Sequence, residues 1–256
     1  MNISFTVLGS SAGMPQASRV NSGYVLKADS ELYQFDCGGG VSSSFRRFDF
    51  DPLAVRRIII SHTHADHISD LPLFVQMLYL AGRKETLIIH LPEEAIEPVK
   101  NYFSTLYLFS EKIPFKIEFI PIMKGSVIDI NGLTVHAILN THLIGYTDII
   151  REYGLANKMQ CFSYLIQAEG KSMLYSADLG SEKDLGTFLT DLDILVVEST
   201  HIDLPSLLDI VIDHNVQKVV LTHTAENYDT NRTLSLAQKS GYDNLIIAED
   251  GMTIDL

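Results

Sequence analysis

Residues 62–67 read His-Thr-His-Ala-Asp-His, three imidazoles and a carboxylate within six positions. No other feature of the chain restricts its fold as much. The preceding Arg-Arg-Ile-Ile-Ile-Ser, residues 56–61, has the apolar character of a buried strand, and His67 to Leu80 carries apolar residues at helical spacing. The hexapeptide is therefore expected on a strand-to-helix loop. There His62 and His64 can face one side, while Asp66 and His67 continue over the top toward a second ion. Imidazole and carboxylate together suit zinc, iron or manganese. The competing reading is a polar surface loop with chance histidines, which must explain why three of the nine histidines crowd here.

Six residues cannot close a site for two metals, so other loops must contribute. Three places qualify. His142 follows the strand-like Leu133 to Leu139, Asp178 follows Ser172 to Ser176, and His223 follows Val216 to Thr222. Each lies just past the C-terminal end of an apolar run, where open α/β sheets gather functional residues. Singly, a His there reads as a turn or cap and an Asp as a helix N-cap. Together, in this order, they read as a ligand set.

The order His-Thr-His-Ala-Asp-His, His142, Asp178, His223 resembles the metallo-β-lactamase superfamily. Phe35-Asp36-Cys37-Gly38-Gly39-Gly40 resembles the family's second strand and glycine turn. Leu174 to Asp178, Leu221-Thr222-His223 and Ala248 to Met252 resemble its later motifs. Within the superfamily the likeness is to the ribonuclease Z group, whose opening loop is echoed by Gly9-Ser10-Ser11-Ala12-Gly13-Met14-Pro15. The resemblance implies an α/β, four-layer αββα metallo-β-lactamase sandwich spanning residues 1–256 as one domain. It also implies that His62, His64 and His142 hold one divalent metal ion, that Asp66, His67 and His223 hold a second, and that Asp178 bridges them. Zinc is the expected metal, with manganese or iron as alternatives. Two ions about 3.5–4 Å apart can share a hydroxide, lower its pKa and accept charge in the transition state.

Asp66 and His201 are the residues expected to act in catalysis. His201 precedes His223 by 22 positions, the separation at which ribonuclease Z-like proteins place a catalytic His. The segment Glu198-Ser199-Thr200 resembles the family's His-Glu-Ala-Thr element, except that Val197 stands where the family has its first His. A His near a scissile phosphate can protonate the departing oxygen; the alternative is a helix-start His beside Asp203.

Substrate class follows from charge and length. Lys and Arg total 19 against 32 Asp and Glu, a net of −13, which opposes long nucleic acid because such binding depends on neutralised phosphates. Arg46-Arg47, Arg56-Arg57 and Arg83-Lys84 are the basic pairs, each read as a solvated helix end. Only 36 residues separate His142 from Asp178, whereas ribonuclease Z enzymes insert a tRNA-clamping arm there. The interval instead holds Gly145 to Tyr153, whose two Tyr and one Arg could form a short lid over a small anion. The expected activity is therefore a binuclear metal-dependent phosphodiesterase acting on a small-molecule or short phosphoester substrate through a bridging hydroxide. An ester, lactone or thioester hydrolase is the alternative, and a metal-retaining regulatory protein the third reading. Cys37 and Cys161 lack metal or disulfide spacing and are read as structural. His90, His136 and His214 are left outside the site. The absence of a signal peptide or of a run of about 20 apolar residues points to a cytoplasmic protein with no membrane partner, with a homodimer compatible.

Overall fold

The computed structural model describes residues 2–256. The chain divides into two compact units, one running to Ile122 and taking back Glu249–Asp255, the other formed by Met123–Ala248.

The first unit is built on a seven-stranded sheet. Its strands are β1 (Ile3–Gly9), β2 (Gly23–Ala28), β3 (Glu31–Phe35), β4 (Val55–Ile59), β5 (Leu87–Pro92), β6 (Ile117–Ile122) and the terminal strand Thr253–Asp255, which lies beside β1. The terminal strand and β1 to β3 pair antiparallel, whereas β3 to β6 pair parallel. Parallel neighbours need crossover connections, and helices α1 (Val41–Arg47), α2 (Ala65–Ile68), α3 (Leu71–Leu80) and α4 (Ile96–Thr105) provide them. Val25, Ile58, Leu87 and Ile89 from the sheet bury against Phe45 of α1, Phe74 and Leu78 of α3 and Phe103 of α4. Each such side chain contributes about 1.5–3 kcal/mol of burial.

The second unit repeats the plan. Its sheet runs in the order β13 (Leu245–Ile247), β12 (Lys218–Thr222), β11 (Ile194–Glu198), β10 (Lys171–Tyr175), β9 (Phe162–Ala168), β8 (Leu133–Leu139), β7 (Val127–Ile130). Strands β7 to β10 are antiparallel and β10 to β13 parallel. Two hairpins close on two-residue turns, Asn131-Gly132 and Glu169-Gly170, with both central residues at positive φ, as the right-handed strand twist demands. Helices α6 (Leu204–Asp213) and α7 (Thr230–Lys239) contribute Leu207, Leu208, Val211 and Ala237 to a core with Leu195, Val197, Val219 and Leu221. By contrast α5 (Thr147–Tyr153) buries none of its side chains.

Three strand ends next to expected site residues turn through left-handed backbone without glycine: Asp36 (φ 51°) after β3, Ala177 (φ 49°) after β10 and His223 (φ 53°) after β12. Such backbone costs on the order of 1–2 kcal/mol per residue and swings the following chain sharply away from the strand direction.

Two expectations are corrected. The helix read from His67 to Leu80 is two helices, because the Asp70 N–H bonds back to the Cys37 carbonyl at 2.8 Å and Pro72 starts the second. The basic pairs are not all solvated helix ends. Arg56 and Arg57 lie on β4, and Arg83 is buried, donating to the carbonyls of Val55 (2.6 Å), Glu85 and Thr86 (2.8 Å each).

Candidate metal centre

In the first unit four of the expected ligands follow β4, His62 and His64 on the loop and Asp66 and His67 in α2. Its anchor is Asp36, fully buried at the left-handed turn after β3. One carboxylate oxygen accepts the Ser61 N–H at 2.7 Å. The other accepts the Ser61 hydroxyl at 2.8 Å and faces His67 Nδ1 at 2.9 Å. Since the Ser61 hydroxyl donates to Asp36, it must accept from His62 Nδ1, 3.0 Å away. The pattern assigns the Nδ1–H tautomer to both rings and presents Nε2 as the donor atom, the arrangement metal-binding histidines share. The His62 ring lies 4.2 Å from that of His67 and 4.8 Å from that of His64 between centroids, and Asp66 Oδ2 is 3.6 Å from His67 Nε2.

Cys37 holds this loop through its backbone, donating its N–H to the His67 carbonyl at 2.7 Å. Burial first, then the nearby Asp70 and Asp36 carboxylates, push its thiol well above the ordinary range, so it is an inert packing residue. The following glycine is obligatory. A Cβ on Gly38 would lie 2.0 Å from the Asp66 carbonyl.

In the second unit the expected ligands come from the ends of β8, β10 and β12. Asp178, 2% exposed, directs Oδ2 to His142 Nε2 and Oδ1 to His223 Nε2, each at 3.6 Å. One carboxylate thus faces two different imidazoles with its two oxygens. His142 Nδ1 is 3.3 Å from the Leu179 carbonyl, which can only accept. The Thr200 hydroxyl donates to the His223 carbonyl (3.0 Å) and so accepts from His223 Nδ1 (3.1 Å). Both rings therefore carry the Nδ1 proton, as His62 and His67 do. Asn140 ties the loops together, donating to the Asp178 carbonyl at 2.9 Å and accepting the His142 N–H at 3.1 Å.

His201 stands beside this set, its ring 4.8 Å from that of His142. Glu198, 1% exposed, accepts the backbone N–H groups of Thr200 and His201 and faces His201 Nδ1 at 3.1 Å. Helix α6 is capped by Asp203, which accepts from Ser206 N–H at 3.1 Å, and His201 lies two residues before that cap. The histidines left outside lie elsewhere: His136 within β8, His214 at the end of α6, and His90 on β5 beside Arg57 at 3.2 Å.

Asp36 was legible as part of a glycine-turn motif but not in its supporting role. The supporting roles of Ser61, Asn140 and Thr200 are not read from sequence; Ser61 and Asn140 adjoin strand ends followed by expected ligands, and Thr200 is visible only within the Glu198-Ser199-Thr200 element.

The whole chain has counterparts of known kind. It is 25% identical to a ribonuclease Z of Methanosarcina acetivorans, with 98% of this chain and 97% of that protein covered. Among solved structures it superposes on the metallo-β-lactamase fold protein YhfI from Bacillus subtilis with a TM-score of 0.79 at 20% identity, both chains covered completely. A diphosphatase of the PhnP family matches at 0.73 and 16% identity, over 99% of this chain and 98% of that one. The model of the family described as Anti-Pycsar protein Apyc1 matches residues 3–246. The chain belongs to that family. Its fold is the metallo-β-lactamase fold, and the expected likeness to the ribonuclease Z group holds. No helix among the described residues is long and apolar enough to cross a membrane.

Proposed function

We propose that the chain is a binuclear metal-dependent phosphodiesterase acting on a small or short phosphate ester. The ligand sets of the two units would act together, residues 1–256 working as one catalytic domain. His62, His64 and His142 would hold one ion, Asp66, His67 and His223 the other, and Asp178 both. The observation that carries this reading is the shared protonation of four of the expected donors: four imidazoles with Nδ1 engaged as a donor, two of them facing the Asp178 carboxylate through Nε2. A set of imidazole and carboxylate donors fits zinc, manganese or iron. When bound, two such ions acidify water toward neutrality and offset negative charge on a phosphoryl group.

The protein's own groups supply the rest. Glu198 fixes His201 with Nδ1 as donor, so that the protonated ring offers its Nε2–H to a departing oxygen, a contribution on the order of 10²–10⁴ in rate. Asp66, lying against His67, combines ligation with orientation of the nucleophile. Tyr146, Tyr153 and Arg151 stand exposed on the segment that follows His142, suited to a small anionic ligand with an apolar part. The relatives named ribonuclease Z and diphosphatase speak of phosphate ester and anhydride cleavage, while a net charge of −13 disfavours a long polyanion.

The deciding experiment is an activity screen of zinc- and manganese-loaded protein with bis(p-nitrophenyl) phosphate, a 2′,3′-cyclic nucleotide, a lactone and a thioester. Turnover of the phosphodiesters is expected. Faster lactone or thioester hydrolysis would replace the reading with carbonyl chemistry. His201→Ala should then slow esters with poor leaving groups by on the order of 10²-fold or more while sparing p-nitrophenyl esters, which need little protonation. Equal losses on both would remove His201 from the mechanism.

A further inference from the structure

Two loops of the second unit carry His142 and Asp178, and a carboxylate outside the ligand set binds both loops. Asp184, in the 3-10 helix Glu182–Leu189, accepts the Thr141 N–H at 3.1 Å, the Thr141 hydroxyl at 2.9 Å and the Gly180 N–H at 2.8 Å. Thr141 immediately precedes His142, and Gly180 lies two residues beyond Asp178. The seam is tight. A Cβ on Gly180 would sit 2.1 Å from the Thr141 hydroxyl oxygen and 2.9 Å from the Thr141 carbonyl carbon. On its other flank Asn140 donates across the junction to the Asp178 carbonyl, while its side-chain oxygen accepts the His142 N–H within its own loop. Two side chains from separate parts of the unit thus cross-link one short junction.

Nothing in the fold of the loops themselves needs so many ties. The loops are anchored to β8 and β10 at their strand ends, and the Asn140 bond to the Asp178 carbonyl and the His142 Nδ1 contact with the Leu179 carbonyl already join them. Beside the Asp184 tie, His142 Nε2 and Asp178 Oδ2 stand 3.6 Å apart. We propose that Asp184 is a positioning residue that sets this separation, and with it the affinity for the ion that His142 and Asp178 share. The inference rests on the reading that those two residues hold a metal. Hydrogen bonds to an ionised carboxylate are about twice as strong as neutral ones. They lie at the protein surface here, so water competes with them, and the effect belongs at the lower end of the 10- to 100-fold range typical of groups that orient metal ligands.

The test is zinc affinity of metal-free protein, read by competition with a chromogenic chelator, together with the melting temperature of the metal-free form. Asp184→Ala should weaken one zinc equivalent by about 10-fold. Asp184→Asn should restore most of the affinity, because an amide oxygen can accept both N–H groups and its NH2 can donate to the Thr141 hydroxyl. Gly180→Ala, which wedges the same seam without touching Asp184, should weaken zinc as Asp184→Ala does. Asp229→Ala serves as the control, since Asp229 caps α7 through the Arg232 N–H at 2.9 Å; it should lower the melting temperature comparably and leave zinc affinity unchanged. Unchanged affinity in Asp184→Ala, with a melting loss matching the control, would reduce Asp184 to an ordinary turn residue while the metal reading stood. Wild-type protein that takes up no zinc would overturn both.

Discussion

The two units hold their proposed ligands by opposite means. In the first, four donors share a six-residue segment, and a single buried carboxylate, Asp36, orients two of them through Ser61 and directly. In the second, three donors come from three strand ends, and the two histidines have separate supports: Leu179 and Asn140 for His142, Thr200 for His223. Concentration makes the first set easy to assemble and easy to lose together. Dispersal makes the second depend on the whole sheet, but lets each ligand fail alone.

The largest expected effect is on the residue that evades this contrast. Asp178 faces two histidines at once, so Asp178→Ala should lower metal stoichiometry and abolish turnover, whereas His90→Ala should do neither. Elemental analysis with a phosphodiester assay checks it, and two tightly held ions in the Asp178 variant would show the bridging assignment to be wrong.

Next comes Asp36→Asn, which keeps the shape of the side chain but can turn an NH2 toward His67 Nδ1 and force the ring into the wrong tautomer. Affinity for both ions should fall by on the order of 10- to 100-fold, because His62 is supported through the same carboxylate. Loss of a single ion in a chelator titration would break the comparison.

His90 probes the first unit apart from its ligands. Burial first, then the Arg57 guanidinium, lower its pKa to about 4. An unfolded His titrates near 6.5, so between about pH 6.5 and 4 the unfolded chain binds a proton that the folded chain does not. Stability from this residue is fully present above pH 6.5 and drains as pH falls to about 4, by about 3 kcal/mol in all. Stabilities of His90→Gln and wild type from denaturant titrations should therefore differ in pH slope between about pH 4 and 6.5 and run parallel outside that window. Identical pH slopes would mean that His90 is not held neutral.

The smallest effect sharpens the comparison from the other side. Thr200→Val removes the acceptor for His223 Nδ1 and nothing from the other imidazoles, so one ion should weaken, by about 10-fold at most, and the other stay unchanged. Weakening of both would make the second unit's supports as shared as those of the first.

The same contrast explains what could be read from the chain. The hexapeptide at 62–67 is contiguous, so its chemistry is visible without any fold. His142, Asp178 and His223 are visible only as an ordered series behind apolar runs, and they earn meaning from the sheet. The supports are not visible at all. Asp36 works because left-handed backbone at φ 51° brings its carboxylate beneath Ser61, 25 residues along the chain, and no local pattern encodes that meeting. Asp184 and Thr141 are 43 residues apart for the same reason. The misread elements fail on equally non-local grounds: a bond from Asp70 to Cys37 divides a stretch whose periodicity looks like one helix, and three carbonyls draw Arg83 inward where its neighbour Lys84 suggests a solvated pair.

Helix α5 has a consequence of a different order. None of its seven residues is buried, so little of the folding free energy depends on what they are, and yet the helix begins five residues after the donor His142. Mutational drift is therefore cheapest on the segment proposed to meet the substrate. A lineage carrying this scaffold can explore new substrates by rewriting residues 144–155 while the donors and their supports stay under strict selection. A library randomised over those positions should stay folded while its members diverge in what they hydrolyse, and an equally deep library across residues 36–40 should yield few folded members.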